Sequence, residues 1–272
     1  MTPEFRIGCV SYANAVPLVE AFRDDPSVEV VLDVPSRLPA LLESGEVDAI
    51  LVSSLYALNR PDVVLAEATC IASDGPVESV RLFSKVLPSE IKRLALDQSS
   101  MTSNALAQMW LREVYGCVPE AEPMPPSLDD MLLDHDAAVL IGDLGMAASL
   151  PEGYVIDLGA AWTDWTGLPF LWAGWIGRQD LSPRLVSRLA AAGERPIDDA
   201  LIQRVAREHG WSIPALENYY SKTMVYRLSD DVLRGYREFA RRLGGTLPEL
   251  RRGEELQSAG ASGFNEVRSV GI

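Results

Sequence analysis

Apolar residues recur along this chain in two rhythms, and one combination of them is written twice. Residues 38 to 54 (LPALLESGEVDAILVSS) and 128 to 143 (LDDMLLDHDAAVLIGD) each run as an apolar helix face, a short turn, Asp-Ala, an apolar strand and a small polar ending. In both copies Leu recurs at i, i+3 and i+4, and four or five β-rich apolar residues bounded by turns follow. A strand that apolar is buried on both faces, as in a parallel sheet covered by helices. Two such units, about ninety positions apart, predict two sheets with small polar strand ends, Ser53-Ser54 and Gly142-Asp143. Open α/β sheets bind ligands outside the carboxyl ends of their strands, so the expected architecture is two lobes closing on something small.

The remaining pattern fills in this frame. FRIGCV opens as a strand and leads through Ser11-Tyr12-Ala13-Asn14-Ala15-Val16-Pro17 into a helix to about Phe22, with Pro17 in its first turn. Residues 28 to 35 read as a second strand; Ser36 is the expected cap of the first repeat helix, which Gly45 ends. Residues 63 to 75 and 78 to 85 read as strands split by Asp74-Gly75-Pro76. KRLALDQSSMTSNALAQMWLREVYG reads as strand, hydroxyl-rich loop and a helix from Thr102 to Tyr115 closed by Gly116, and the Pro-rich stretch 118 to 126 as a connector. Residues 166 to 178 are a long aromatic strand-like run, after which helices dominate; Ser229 caps the last, whose Val232, Leu233, Tyr236, Phe239, Ala240 and Leu243 form one apolar stripe. With 78 to 85 and 169 to 178 as the two strands crossing between lobes, lobe I is 1–84 plus 175–245 and lobe II is 86–170. The tail, 246–272, is small, polar and expected to pack weakly.

Composition narrows the partners. A formal charge of −15 argues against a nucleic-acid backbone or an anionic membrane, because Lys and Arg patches hold both. No apolar run approaches the roughly 18 residues needed to span a bilayer. The N-terminus enters a strand at once, with no basic segment and no long apolar segment of a secretory signal, and three widely spaced cysteines, Cys9, Cys70 and Cys117, make no disulfide framework; a cytoplasmic protein is expected. No metal-ligand spacing, P-loop, G-x-G-x-x-G or Ser-His-Asp set occurs, so neither metal nor cofactor is expected. The two histidines, His135 and His209, stand in polar contexts that predict surface positions.

Three places carry candidate chemistry. A helix start leaves backbone N–H groups unpaired with a partial positive charge, so the loop Asp97-Gln98-Ser99-Ser100-Met101-Thr102-Ser103-Asn104 can hold a carboxylate or phosphate without Lys or Arg; equally, one hydroxyl there serves as a cap. In Ser11-Tyr12-x-Asn14, Asn14 can donate and accept at once, which suits a substrate hydroxyl or carbonyl, or it is a plain turn residue. Ser54 and Asp143 occupy the strand ends of the two repeat copies.

The motifs SYANAVPL, PSRLPALLESGEVDAILVSS, GPVESVRLFSK, LDQSSMTSN, DAAVLIGD and DLGAAWTDWTGLPFLWAGW, in this order over about residues 6 to 240, resemble the menaquinone biosynthetic family typified by chorismate dehydratase of the futalosine pathway. The resemblance implies an α/β periplasmic-binding-protein-like fold of type II, a Venus flytrap of two lobes with mixed, mostly parallel sheets joined by two hinge strands. It implies conversion of chorismate, a small dicarboxylate, to 3-[(1-carboxyvinyl)oxy]benzoate and water. Ser100, Thr102, Ser103 and the helix start would then take one carboxylate, with Ser54 and Ser79 from the other lobe or hinge. Asn14 would act on the leaving hydroxyl or the enolpyruvyl group, and Ser11, Asp143 and Thr166 complete the expected substrate-binding set. Without a histidine in a motif, the proton would pass to the substrate's own side chain. SYAN has Ala13 where the family more often has Leu, which would widen the pocket. Rival readings are the sister enzyme making 1,4-dihydroxy-6-naphthoate, which is similar in fold but carries a Cys-Pro-Asn-Asp type loop and relies on a histidine, a non-catalytic binding protein for small anionic solutes, and the effector-sensing half of a transcription regulator.

Overall fold

The computed structural model describes residues 2 to 254. The chain opens with β1 (Phe5–Cys9), the short helix α1 (Val16–Val19), β2 (Val28–Leu32), α2 (Leu38–Ser44), β3 (Ala49–Ser53) and the long β4 (Val63–Ser73). It continues through β5 (Arg81–Ser84), β6 (Arg93–Asp97), α3 (Thr102–Tyr115), β7 (Glu120–Met124), α4 (Leu128–Asp134), β8 (Ala137–Leu140), α5 (Gly142–Ala147), β9 (Tyr154–Asp157) and α6 (Leu158–Thr166). β10 (Phe170–Arg178) follows, then α7 (Pro183–Ala191), α8 (Asp199–His209), α9 (Ile213–Asn218), β11 (Met224–Arg227), α10 (Asp230–Leu243) and β12 (Glu249–Arg251).

Two sheets result. The first has the order β11-β4-β10-β3-β1-β2 with β12 beside β4, and the second β7-β6-β8-β5-β9. The sequence repeat is a repeat of topology: β2-β1-β3-β10 in the first sheet matches β7-β6-β8-β5 in the second. In each, the repeated strand lies parallel to the opening strand and antiparallel to its other neighbour. Among the described residues five strand pairings are parallel and five antiparallel, so the sheets are evenly mixed rather than mostly parallel.

The chain leaves the first sheet after Ser73 and re-enters it at Phe170, and these two residues are register partners. The crossings are therefore residues 74–80 and 158–169; β5 lies wholly in the second sheet and β10 wholly in the first, unlike the crossing strands expected there. One carboxylate fastens the two crossings together. Asp157 accepts from the N–H groups of Val77 (3.0 Å) and Glu78 (2.6 Å) on the outward crossing, and from Gly159 (2.9 Å) and Ala160 (3.0 Å) at the start of α6. Trp162, Phe170 and Phe239 pack edge to face, joining α6, β10 and α10 in one core.

Three local expectations are corrected. Ser36 does not cap α2: the residue before the helix is Arg37, in helical conformation and without a side-chain cap, while Pro39 removes one N–H that would have needed it. The expected connector 118 to 126 contains β7, an edge strand whose one-sided pairing to β6 leaves its Glu side chains in solvent. Part of the expected loose tail is strand β12, parallel to β4; residues 255–272 of that tail lie outside the described residues. The stripe on α10 holds, with Val232, Tyr236, Phe239 and Ala240 buried and Leu233 and Leu243 partly so.

Candidate functional site

The carboxyl ends of β1, β3, β6 and β8 face one cleft between the sheets, enclosing about 680 Å³ with its mouth included. Tyr12 and Asn14 reach it from the turn after β1, Ser53 from the end of β3 and Trp172 from β10. Ser99, Ser100, Met101, Thr102 and Ser103 reach it from the loop opening α3, Gly142 from the end of β8, and Ser79 from the outward crossing. Among the described residues, no lining residue carries a formal charge.

Hydroxyls are concentrated where α3 begins. The residue before the helix, Met101, offers no side-chain cap, and the 14-residue helix aims its N-terminus at the cleft. An anion placed there meets free N–H groups and the positive end of the helix dipole. Asp97, almost fully buried behind this loop, shapes it: Oδ1 accepts from Ser99 N and Ser99 Oγ, and Oδ2 accepts from Ile141 N, so one carboxylate joins the ends of β6 and β8. Ser100 Oγ accepts from Ser103 N at 3.3 Å. The Thr102 hydroxyl sits at the junction of the two halves, in short contact with Ser53 Oγ and accepting from Leu55 N at 3.3 Å.

On the opposite wall Asn14 Oδ1 is buried without a hydrogen-bond partner. The phenol of Tyr219 is fully buried with its oxygen 2.8 Å from Ser79 Oγ; burial holds it well above the ordinary range, with the neighbouring Ser79 and Asn14 side chains opposing the shift. Tyr12 is the one titratable residue on the wall among the described residues. Burial holds its phenol above the ordinary range, Ser99 opposes the shift by a hydrogen bond, and the charges of Asp97 and Asp143 add to it.

Of the expected site residues, Asn14, Ser79, Ser100, Thr102 and Ser103 share this cleft. Four others do not line it. Ser11 is exposed and lines an outer groove with Arg23, Arg204 and His209. Ser54 is buried beside the cleft, its Oγ donated to Leu171 O at 2.7 Å. Thr166 closes α6, donating to Trp162 O and accepting from Leu168 N. Asp143 turns away to accept from Trp211 Nε1 at 2.9 Å and to meet His209 Nδ1 at 2.8 Å, a clasp between α5 and the α8–α9 corner. Neither histidine is a free surface residue: His135 is buried with Nδ1 on Met131 O and Nε2 3.2 Å from Glu122, and His209 is mostly covered in the clasp. Ala13 is fully buried and absent from the cleft wall, so its small size does not widen the pocket.

Sequence reasoning missed Ser53, Ser99, Tyr12, Asp97 and Tyr219. The first four stand inside or beside motifs already singled out. Tyr219 had no local signal, because its partner Ser79 is 140 positions away.

The family model described as menaquinone biosynthesis matches residues 5–244. A chorismate dehydratase of Thermus thermophilus is 33% identical over an alignment covering 88% of this chain and 94% of that protein. Among solved structures, a protein of Archaeoglobus fulgidus aligns with a TM-score of 0.68 at 19% identity, covering 88% of this chain and 97% of its own. The periplasmic aliphatic sulphonate-binding protein of Escherichia coli aligns with a TM-score of 0.57 at 16% identity, covering 97% and 98%. These likenesses are of fold, the periplasmic-binding-protein architecture of two α/β halves.

Proposed function

The chain belongs to the menaquinone-biosynthesis family, and from that premise we infer that it is a chorismate dehydratase. It converts chorismate to 3-[(1-carboxyvinyl)oxy]benzoate and water, the first step of the futalosine route to menaquinone. The observation that carries this reading is the cleft wall itself: uncharged hydroxyl and amide groups facing the open N-terminus of α3, inside a protein of net charge −15. Such a wall suits a dicarboxylate whose reaction needs orientation and exclusion of water more than strong acids and bases. Loss of the ring C3 proton and the C4 hydroxyl makes the ring aromatic, so much of the driving force lies in the substrate.

In this reading each sheet with its helices is one lobe, residues 2–73 with 170–254 and residues 81–157, and the crossings at 74–80 and 158–169 are the hinge. Ser100 and Ser103 with the α3 N-terminus take one carboxylate, and Asn14 meets the ring hydroxyl. Burial keeps Tyr12 protonated and therefore unsuited to act as the base. The proton from C3 passes to the enolpyruvyl carboxylate of the substrate and from there to the departing hydroxyl, which leaves as water. Free thiols at Cys9, Cys70 and Cys117 fit a cytoplasmic setting, and among the described residues no helix is long and apolar enough to cross a membrane.

Incubation with chorismate, followed by benzoate absorbance and mass spectrometry of the product, tests the reading. Product 18 mass units lighter than chorismate is the expected result, from the loss of one water. Tight binding with no turnover would make the protein a receptor, and turnover of a cyclic futalosine derivative instead would make it the sister enzyme.

A further inference from the structure

A carboxylate in the first turn of a helix ordinarily serves that helix's own free N–H groups. Asp143, the second residue of α5, does not: Ile141 before the helix offers no side-chain cap, and still the carboxylate leaves its own half of the molecule. Oδ1 accepts from Trp211 Nε1 at 2.9 Å, and Oδ2 accepts from His209 Nδ1 at 2.8 Å. A carboxylate can only accept, so Nδ1 is the ring nitrogen that carries the proton.

The two donors are set by their own corner. Gly210, with φ +73°, ends α8, Trp211 N donates to Ala206 O at 3.0 Å, and the Trp211 ring packs on Tyr219 with 4.9 Å between ring centres. The side chains of His209 and Asp143 are 15% and 29% exposed, so solvent screens this pair less than an open surface pair.

What Asp143 is attached to gives the contact its reach. Three consecutive residues at the end of β8 are each tied to a different part of the site. Ile141 N donates to Asp97 Oδ2, the carboxylate that also holds Ser99 of the hydroxyl loop. Gly142, left-handed at φ +61°, lies against the Tyr12 ring, which stands 3.5 Å from where a Cβ would be. Asp143 then crosses to the α8–α9 corner. His209, Trp211 and Asp143 all lie outside the crossings at 74–80 and 158–169, so a swing of the halves about those crossings parts donor from acceptor.

We infer that His209 and Trp211 are positioning residues that, through Asp143, latch the two lobes together over the cleft and so set how tightly it holds its substrate. Chorismate enters as the probe, on the dehydratase reading of the cleft. A latch of this kind raises the fraction of molecules with both walls in place, and apparent affinity scales with that fraction.

The test joins steady-state kinetics to small-angle X-ray scattering. In Asp143→Ala the KM for chorismate is expected to rise about 10- to 100-fold with kcat within about threefold, because saturating substrate still draws the lobes together. Trp211→Phe, which drops one donor but keeps an aromatic ring beside Tyr219, and His209→Ala should each raise KM about 3- to 10-fold. Added to Asp143→Ala, either should cost less than about twofold more, since no acceptor remains. Without chorismate, Asp143→Ala should have a larger radius of gyration than wild type, and saturating chorismate should remove the difference. Should Asp143→Ala not fold, Trp211→Phe carries both readouts. Wild-type KM and radius in the variants overturn the inference, whatever happens to their melting temperatures. A raised KM with an unchanged radius, or a loss confined to kcat, overturns it too. Wild-type protein that does not turn over chorismate overturns the dehydratase reading instead, and the radius of unliganded Asp143→Ala then decides the latch.

Discussion

Removing the Asp157 carboxylate should loosen both the fold and the site, by an amount that its contacts determine. Its two oxygens serve four N–H groups at 2.6 to 3.2 Å, two on each crossing. In Asp157→Ala, loss of the α6 cap costs about 1 kcal/mol. The N–H groups of Val77 and Glu78, left part-buried and unpaired, cost about 1 to 2 kcal/mol each. The sum is about 3 to 5 kcal/mol, which at about 2 to 4 °C per kcal/mol lowers the melting temperature by about 6 to 20 °C. Asp157→Asn keeps one carbonyl oxygen for the helix start but loses the second, and should recover roughly half of the loss. Because the freed turn carries Ser79, chorismate turnover should fall along with stability. Thermal and urea unfolding of both variants measure the first effect, and initial rates the second. A melting temperature for Asp157→Ala within 2 °C of wild type would refute the reasoning that this carboxylate fastens the crossings.

Two further outcomes follow. In Gly235→Ala, on α10, the new Cβ would stand 1.8 Å from the carbonyl oxygen of Pro169, a backbone atom that cannot swing aside; a loss of more than about 3 kcal/mol is expected by urea titration, and a near-neutral variant would contradict the packing of α10 on the return crossing. The Glu238 carboxyl, hydrogen-bonded first by Arg241 and then by Arg242, is held down from an ordinary 4.5 to about 2. A folded pKa below the unfolded one gives stability that is present above about pH 4.5 and lost as pH falls through about 2. Urea midpoints of wild type and Glu238→Gln should therefore differ most near neutrality and converge in acid, and a gap independent of pH would count against the ion pair.

Much of the frame was legible in the apolar pattern. The two repeat copies became α2–β3 and α4–β8, and α3 runs over the expected Thr102–Tyr115, because these segments bury a face at a period that local residues set. β7 escaped notice because an edge strand pairs on one side only and so keeps polar residues and a proline. The crossings were misplaced because a run such as FLWAGWIGR announces a strand but not the sheet that receives it. At the site, hydroxyls clustered in one loop could be picked out. Which of them stay free could not, since Ser54 and Thr102 are engaged by groups 117 and 49 positions away. Asp143 and His209 had the same difficulty in reverse: each looked polar and local, and each is held by the other across 66 positions.

The central claim is that uncharged donors at the α3 N-terminus and on the facing wall hold a dianion in an acidic protein. Calorimetric titration of chorismate, or its KM, at about 20 mM and about 300 mM salt tests this most directly, because screening acts oppositely on the two alternatives. Among the described residues the cleft wall holds no cation, and against a net charge of −15 added salt relieves more repulsion than it screens of the attraction at the α3 N-terminus. The dissociation constant is expected to stay level or fall. A rise of about tenfold over that range, as a Lys or Arg clamp would give, would contradict the account.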